Sequence, residues 1–267
     1  KQPLKLPSSA TINGAFQGRL IISLKEDWSR EDTTYRQGTV LIADTTALHT
    51  GGNGVIDVLI EPDEFTVVQS VTTTDATVLV TVLENVRGRI YRYSPGKEGR
   101  WHRSLVNFPD NGSLVITSTD DASGNFVARY ESFTSPPALY YVASEDWQPQ
   151  KIKNQSPSFD GSRYQTEQYF ATSADGTKIP YFVVLPKDAK RDGSHPTHIF
   201  SYGGFRNSLK PTYSGSYEKL SGAYGKLWLD RGGIFVLANI RGGGEFGPAW
   251  HAAALKEKRP RAFEDFE

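Results

Sequence analysis

Two glycine-rich segments contain the candidate catalytic and ligand-binding residues of the sequence. The first, 201-SYGGF-205, follows a short apolar run. The second lies within 233-GIFVLANIRGGGEFGPAWHAAAL-255, where Gly242, Gly244 and Gly247 satisfy the spacing G-x-G-x-x-G between a strand-like and a helix-like segment. That spacing is typical of loops that bind the pyrophosphate of a dinucleotide. The alternative is that both loops serve a different chemistry, or none.

The surroundings of the second segment argue against a dinucleotide site. Arg241 stands between the strand and the first glycine, and Pro248 moves the start of the helix beyond the third. Glu245 would place a carboxylate opposite phosphate, which is electrostatically unfavourable. The acidic residue expected about 20 residues later, at a strand end, is represented by Glu264 in a helical pattern. A nucleotide-dependent oxidoreductase is therefore a disfavoured alternative.

Tyr202 is the candidate catalytic residue of the first segment. Two glycines beside it permit a sharp turn or a close backbone approach, and an ordinary exit from a strand is the simpler explanation. In an α/β-hydrolase, however, a loop after an early strand supplies part of the oxyanion hole. A tyrosine hydroxyl is an uncharged donor suited to a developing oxyanion. No G-x-S-x-G motif occurs in the 267 residues, so no nucleophile elbow is found.

No cofactor or metal site is predicted. The chain has no cysteine, which excludes disulfides, thiol catalysis and zinc–thiolate centres within it. None of its histidines has the spacing of a metal-ligand motif: His49, His102, His195, His198 and His251. A basic run is interpreted as the solvated end of a helix: Lys256, Lys258, Arg259 and Arg261.

Composition excludes two classes of partner. Lys plus Arg equals Asp plus Glu at 30 each, so no overall charge favours nucleic acid. No apolar window approaches the roughly 18 residues needed to span a membrane, and no membrane partner is expected. The compartment, cytoplasmic or periplasmic, is left open.

The elements that position these segments fall into two groups. Residues 1–152 alternate short β-type runs with turns, which predicts a partial, all-β propeller of about three blades, with a sandwich as the alternative. The runs are 18–24, 38–44, 55–62, 65–73, 77–84, 88–95, 112–121, 125–133 and 137–144.

A polar stretch at 148–162 is predicted to be a linker to a second unit, residues 153–267. This unit should begin with a hairpin, 164–173 and 177–186, that turns over Asp175 and Gly176. The segments that follow are a strand at 195–202, a helix at 217–231, a buried strand at 232–240 and, after Pro248, a helix at 249–259. The order is typical of an open α/β sheet covered by helices.

On these residues the chain resembles the prolyl oligopeptidase family of serine peptidases. The resemblance is carried by 201-SYGGF-205, 239-NIRGGGEFG-247, Trp250, the hairpin from 164 to 184 and the closing AFEDF. It implies that residues 153–267 are the N-terminal part of an α/β-hydrolase domain and that the glycine run is a structural loop. Arg241 and Glu245 are then candidates for an ion pair or, alternatively, for a place near the substrate channel. The resemblance also implies that Tyr202 helps to form the oxyanion hole and that Phe205 lines the pocket for proline.

The same resemblance implies an endopeptidase or oligopeptidase that cleaves short proline-containing peptides through an acyl-enzyme and is a monomer when complete. The catalytic Ser, Asp and His should follow residue 267, so the 267 residues are expected to be an internal fragment that is inactive alone. Two alternatives stay open: a non-catalytic β-rich binding module, and the post-basic specificity of the oligopeptidase B branch.

Overall fold

The computed structural model describes residues 3–49, 54–97, 100–213 and 227–267. These residues form four four-stranded sheets and a two-stranded ribbon. The strands are β1 Thr11–Phe16, β2 Arg19–Ser23, β3 Trp28–Arg30, β4 Thr33–Tyr35, β5 Val40–Ala43, β6 Ile56–Ile60, β7 Thr66–Thr73, β8 Val78–Glu84, β9 Arg87–Pro95, β10 Trp101–Val106, β11 Gly112–Thr119, β12 Phe126–Ser132, β13 Ala138–Val142, β14 Pro149–Asn154, β15 Tyr164–Thr172, β16 Lys178–Pro186, β17 Thr197–Phe200 and β18 Ile234–Ala238.

The first three sheets are antiparallel and follow one another along the chain. The first has the order β1-β2-β5-β6, with the ribbon β3-β4 inserted between its second and third strands. The second and third are meanders of consecutive strands, β7 to β10 and β11 to β14. Short connections favour this pairing of neighbours in sequence.

β8, a central strand of the second sheet, is buried on both faces. Its residues alternate between two cores: Val78 and Val80 pack in the cluster that contains Ile21 and Val40 of the first sheet. Leu79 packs instead with Leu114 of the third sheet. A strand between two sheets needs apolar side chains on both faces, which accounts for the uninterrupted apolar run VLV.

The fourth sheet has the order β15-β16-β18-β17. The hairpin β15-β16 closes through Gly176, whose φ is +87°, a conformation that glycine adopts without a steric penalty. β16 pairs antiparallel with β18, and β18 pairs parallel with β17, the outermost strand of the sheet. The carboxyl ends of β17 and β18 therefore lie at the same edge of the sheet.

An aromatic core joins the fourth sheet to the third. Phe133, directly after β12, lies 5.4 Å from Phe182 of β16 and 6.2 Å from Phe235 of β18, measured between ring centroids. All three rings are almost fully buried. Their burial removes a large apolar area from water and holds the two sheets together.

Two short helices complete the described part, Gly247–Ala252 and Pro260–Glu264. Small residues from the helical segment, Ala254 and Ala262, pack against Ile179 and Ile240. No helix in the described ranges is long and apolar enough to cross a bilayer.

Three predictions about elements need correction or stay open. The predicted linker 148–162 contains a strand, β14, which completes the third sheet, and residue 152 falls inside it. The helix after Pro248 ends at Ala252, although Pro248 occupies the first turn as predicted. The predicted helix 217–231 lies mostly outside the described residues, and its described end is the 3-10 turn Leu229–Arg231. The division into two domains stays a prediction.

Candidate functional site

Two loops leave the shared edge of the fourth sheet, and their glycines bring them into contact. The β17 loop is described from residue 201 to 213, and the β18 loop runs from 239 to 246. Gly203 has a φ of +56°, and a side chain there would collide with Ile240 and lie 2.8 Å from the carbonyl oxygen of Arg241. Gly242, with φ +98°, faces the carbonyl of Gly203. Both positions need glycine for conformation and for space.

The other glycines of the run serve the same contact. A side chain at Gly244 would collide with the carbonyl of Arg206, and one at Gly243 would lie 2.9 Å from the carbonyl oxygen of Asn207. The Gly244 N–H donates to Asn207 at 3.2 Å. The glycine run thus packs one loop against the other, in agreement with its interpretation as a structural loop.

Tyr202 and Phe205 lie together on the exposed side of the β17 loop. Their ring centroids are 6.5 Å apart. Tyr202 is 44% exposed and Phe205 is 88% exposed. No hydrogen-bond partner of the Tyr202 hydroxyl is found among the described residues, so this donor is available to a ligand.

The backbone around Phe205 is constrained. Phe205 and Arg206 both have positive φ, at +53° and +56°, a region that non-glycine residues seldom adopt. The Asn207 N–H donates to the Gly204 carbonyl at 2.9 Å and closes the turn. Such strain persists where surrounding contacts determine the conformation, and it is common at ligand sites.

Arg241 is the centre of a buried ionic cluster, but its partner is not Glu245. Its guanidinium lies 2.6 Å from Asp265 and 2.5 Å from Asp175, and its backbone N–H also donates to Asp265. The predicted Arg241–Glu245 ion pair is therefore wrong. Hydrogen bonds from Arg241 hold the pKa of Asp175 below its usual range.

Glu245 is instead buried without a cationic partner among the described residues. It is 1% exposed, and burial raises the pKa of its carboxyl. Its Oε1 accepts the Leu209 N–H at 2.9 Å and the Asn239 side-chain amide at 3.3 Å. Its Oε2 is buried with no hydrogen-bond partner in the described part of the chain.

The basic run is only partly a solvated helix end. The Arg259 guanidinium donates to the Gly203 carbonyl, and the Arg261 Nε lies 3.9 Å from Asp175. Arg259 therefore belongs to the contact between the two loops, which corrects its assignment to a free helix end.

The histidines near the fourth sheet have structural contacts. His195 and His251 each place Nδ1 near a backbone carbonyl, at 2.9 Å from Gly232 and 2.7 Å from Gly242. The His198 ring packs edge-on against Phe235. Across the described ranges no group of three or more His, Cys, Asp or Glu side chains is arranged to hold a metal ion.

Sequence reasoning missed two residues that hold the β17 loop. Asn239, at the end of β18, is fully buried and donates to the Leu209 carbonyl at 2.7 Å. Glu131 of the third sheet accepts the Tyr213 N–H at 3.0 Å. The single amide after the apolar run IFVLA was the available signal for Asn239, because a buried polar group needs a partner.

Two family models match the chain, one in each of its two parts. The model of the N-terminal β-propeller domain of prolyl oligopeptidase matches residues 22–155, and the prolyl oligopeptidase family model matches residues 221–267. The chain belongs to the prolyl oligopeptidase family. Its fold class, propeller sheets followed by the beginning of an α/β-hydrolase domain, is confirmed.

Individual relatives agree with this assignment. The chain is 39% identical to an uncharacterized peptidase of Sinorhizobium fredii over 269 residues, which is 100% of this chain and 36% of the relative. It is 31% identical to a prolyl endopeptidase of Elizabethkingia miricola, over 70% of this chain and 25% of the relative. The structure of a post-proline cleaving enzyme from Rickettsia typhi superposes with a TM-score of 0.80 at 30% identity, covering 99% of this chain and 38% of that one. The chain thus spans little more than a third of the length of the relatives that match all of it.

Proposed function

We propose that the complete protein carrying this chain is a serine peptidase that cleaves short peptides after proline through an acyl-enzyme. The observation that carries the proposal is the exposed Tyr202–Phe205 pair, at the carboxyl edge of the parallel strands, in a member of the prolyl oligopeptidase family. Ligands of open α/β sheets bind at this edge.

In the proposed mechanism Tyr202 is the catalytic residue supplied by this chain. A serine activated by a histidine attacks the carbonyl carbon, and the Tyr202 hydroxyl donates a hydrogen bond to the oxygen as it becomes negative. The acyl-enzyme forms as the amine leaves, and water then releases the acid. One such donor contributes about 3–4 kcal/mol to transition-state stabilisation. The serine, aspartate and histidine are assigned to no residue of this chain.

Phe205 is proposed to bind the proline side chain of the substrate. Its ring is almost entirely exposed and lies beside Tyr202, so a pyrrolidine ring could pack on it within reach of the oxyanion donor. We assign the first three sheets, through β14, to a propeller that restricts access to short peptides, and the fourth sheet with its loops to the start of the peptidase domain.

Paired substrates test the proposal on the complete protein. Two fluorogenic peptides that differ only in Pro or Arg before the scissile bond should give a higher kcat/KM with Pro. A serine-directed organophosphate should abolish both rates. A preference for Arg would instead favour the post-basic branch, and no hydrolysis of either peptide would favour a non-catalytic binding module.

A further inference from the structure

One residue of the β17 loop, Leu209, has both of its backbone polar groups hydrogen-bonded to side chains of the β18 loop. The Leu209 N–H donates to Glu245 Oε1 at 2.9 Å, and the Leu209 carbonyl accepts from the Asn239 side-chain amide at 2.7 Å. Both polar groups of one residue are thereby satisfied by side chains of the neighbouring loop. Asn239 also donates to Glu245 at 3.3 Å, so the two side chains act together.

Glu245 and Asn239 are built into the protein rather than placed on its surface. They are 1% and 0% exposed, and a side chain on Gly243 would collide with the Glu245 carboxyl. Burying a carboxyl group whose Oε2 finds no hydrogen-bond partner within the described ranges costs free energy. Other interactions must offset this cost, and we attribute the presence of Glu245 to the hydrogen bond by which it fixes the β17 loop.

These hydrogen bonds lie close to the proposed site. Leu209 is four residues after Phe205, and the side chain of Leu209 packs against the buried core of the fourth sheet. The other end of the loop is held by Arg259 at the carbonyl of Gly203. The segment between these points carries Phe205, and Tyr202 precedes it directly.

We propose that Glu245 is a positioning residue that, through Leu209, fixes the loop bearing Tyr202 and Phe205 against the β18 loop. Glu245 touches no reacting atom in this proposal. Its effect on rate rests on the proposed function, whereas its effect on the loop does not. Positioning errors of about 1 Å can cost a hundredfold in rate.

Hydrogen–deuterium exchange tests the effect on the loop directly. In the complete protein, Glu245→Ala leaves the Leu209 N–H without its acceptor and should raise amide exchange in residues 201–213, with β7 to β9 unchanged. Glu245→Gln should restore protection, because its amide oxygen accepts the same bond. Glu84→Ala is the control: Glu84 accepts the Tyr91 hydroxyl at 2.7 Å within the second sheet and makes no hydrogen bond to either loop among the described residues.

Kinetics on the proline peptide give the second measurement. Glu245→Ala should lower kcat about 10- to 100-fold, and Glu245→Gln should stay within about threefold of wild type because the acceptor is retained. The assay is run well below the melting temperature of each variant, so that lost stability alone does not lower the rate.

The outcomes separate this inference from the proposed function. Unchanged exchange at 201–213 in Glu245→Ala, or a rise spread evenly over all sheets, would overturn the positioning role. A wild-type protein that hydrolyses no peptide would overturn the proposed function, while the exchange measurement would still decide the role of Glu245.

Discussion

Arg241 and Glu245 are four residues apart and both are buried, but among the described residues only Arg241 has partners of opposite charge. Arg241 is matched by two carboxylates and by the Ser173 hydroxyl at 3.2 Å. Glu245 has neutral partners, and its pKa is raised by burial. The sequence places two opposite charges in one loop, which suggested an ion pair. Arg241 instead pairs with Asp175 and Asp265, because the fold brings these two carboxylates next to its guanidinium. Spacing along the chain does not reveal this proximity.

Removing the Arg241 side chain should be strongly destabilising. Arg241→Ala would leave Asp265, whose side chain is fully buried, without its cation. Breaking a buried pair on one side costs about 3–5 kcal/mol. Native-state amide exchange of β16 and β18 should report a loss of unfolding free energy of this size. The control is Arg206→Ala, at an exposed site, which should change the unfolding free energy by less than about 0.5 kcal/mol. Equal exchange in the two variants would show that the cluster contributes little.

Glu245 should make stability fall as pH rises. The folded-state pKa lies above the ordinary value of 4.5, so above pH 4.5 the unfolded chain ionises while the folded carboxyl keeps its proton. The unfolding free energy of wild type relative to Glu245→Gln should therefore decline from pH 4.5 upward until the raised pKa is passed. Urea midpoints of both proteins between pH 4 and pH 8 measure it. A difference that is constant, or that grows with pH, would mean that the carboxyl is ionised in the fold.

At the scale of elements, alternating or continuous apolar runs predicted the strands well, and polar strands were missed. The runs at 77–84 and 88–95 correspond to β8 and β9. β14, PQKIKN, was assigned to a linker because its side chains are mostly exposed and polar. It is a strand through its backbone bonds to β13, which an edge strand can make with almost any side chains.

The helix after Pro248 was predicted too long for a related reason. Good helix formers continue through Lys258, but the chain turns extended at Leu255 and adopts a positive φ of +50° at Lys256. This break lets Ala254 and Ala262 both pack against the sheet edge. Tertiary packing thus overrides helix propensity here.

The contact between the two loops makes a specific glycine indispensable. Gly203→Ala introduces a β-carbon at positive φ and against Ile240. We expect a loss of more than about 2 kcal/mol, since the backbone strain of about 1–2 kcal/mol adds to the collision. Urea unfolding monitored by tryptophan fluorescence measures it. Gly193→Ala is the control, because its φ is +78° and no atom lies within 4 Å, so strain acts alone. Equal losses would indicate that the loops do not pack as described.

At the scale of the whole chain, the β17 loop is held from two sides. The β18 loop fixes Leu209, and the third sheet fixes the next residues: Ser113 donates to the Pro211 carbonyl at 2.6 Å, and Glu131 accepts from Tyr213. The Tyr213 ring stacks on Phe159 at 5.3 Å between centroids. The proposed site is therefore tied to the propeller sheets as well as to the hydrolase sheet.

The motif 201-SYGGF-205 singled out Tyr202 and Phe205, and the family resemblance assigned their roles. Sequence patterns could not reveal Leu209, because its contribution is made by backbone groups that every residue possesses. They could not reveal Glu131 either, which meets the loop from 82 residues away in sequence. Long-range contacts of this kind are decided by how the sheets pack.

Removing the Tyr202 hydroxyl tests whether this residue is the oxyanion donor of a peptidase. Tyr202→Phe in the complete protein should lower kcat on the proline peptide about 100- to 1000-fold, with KM nearly unchanged, because the lost bond forms only in the transition state. Tyr141→Phe, on β13 of the third sheet, is the matched control and should behave as wild type. A Tyr202→Phe protein that retains wild-type kcat would contradict the claim that this chain supplies the oxyanion donor of a peptidase.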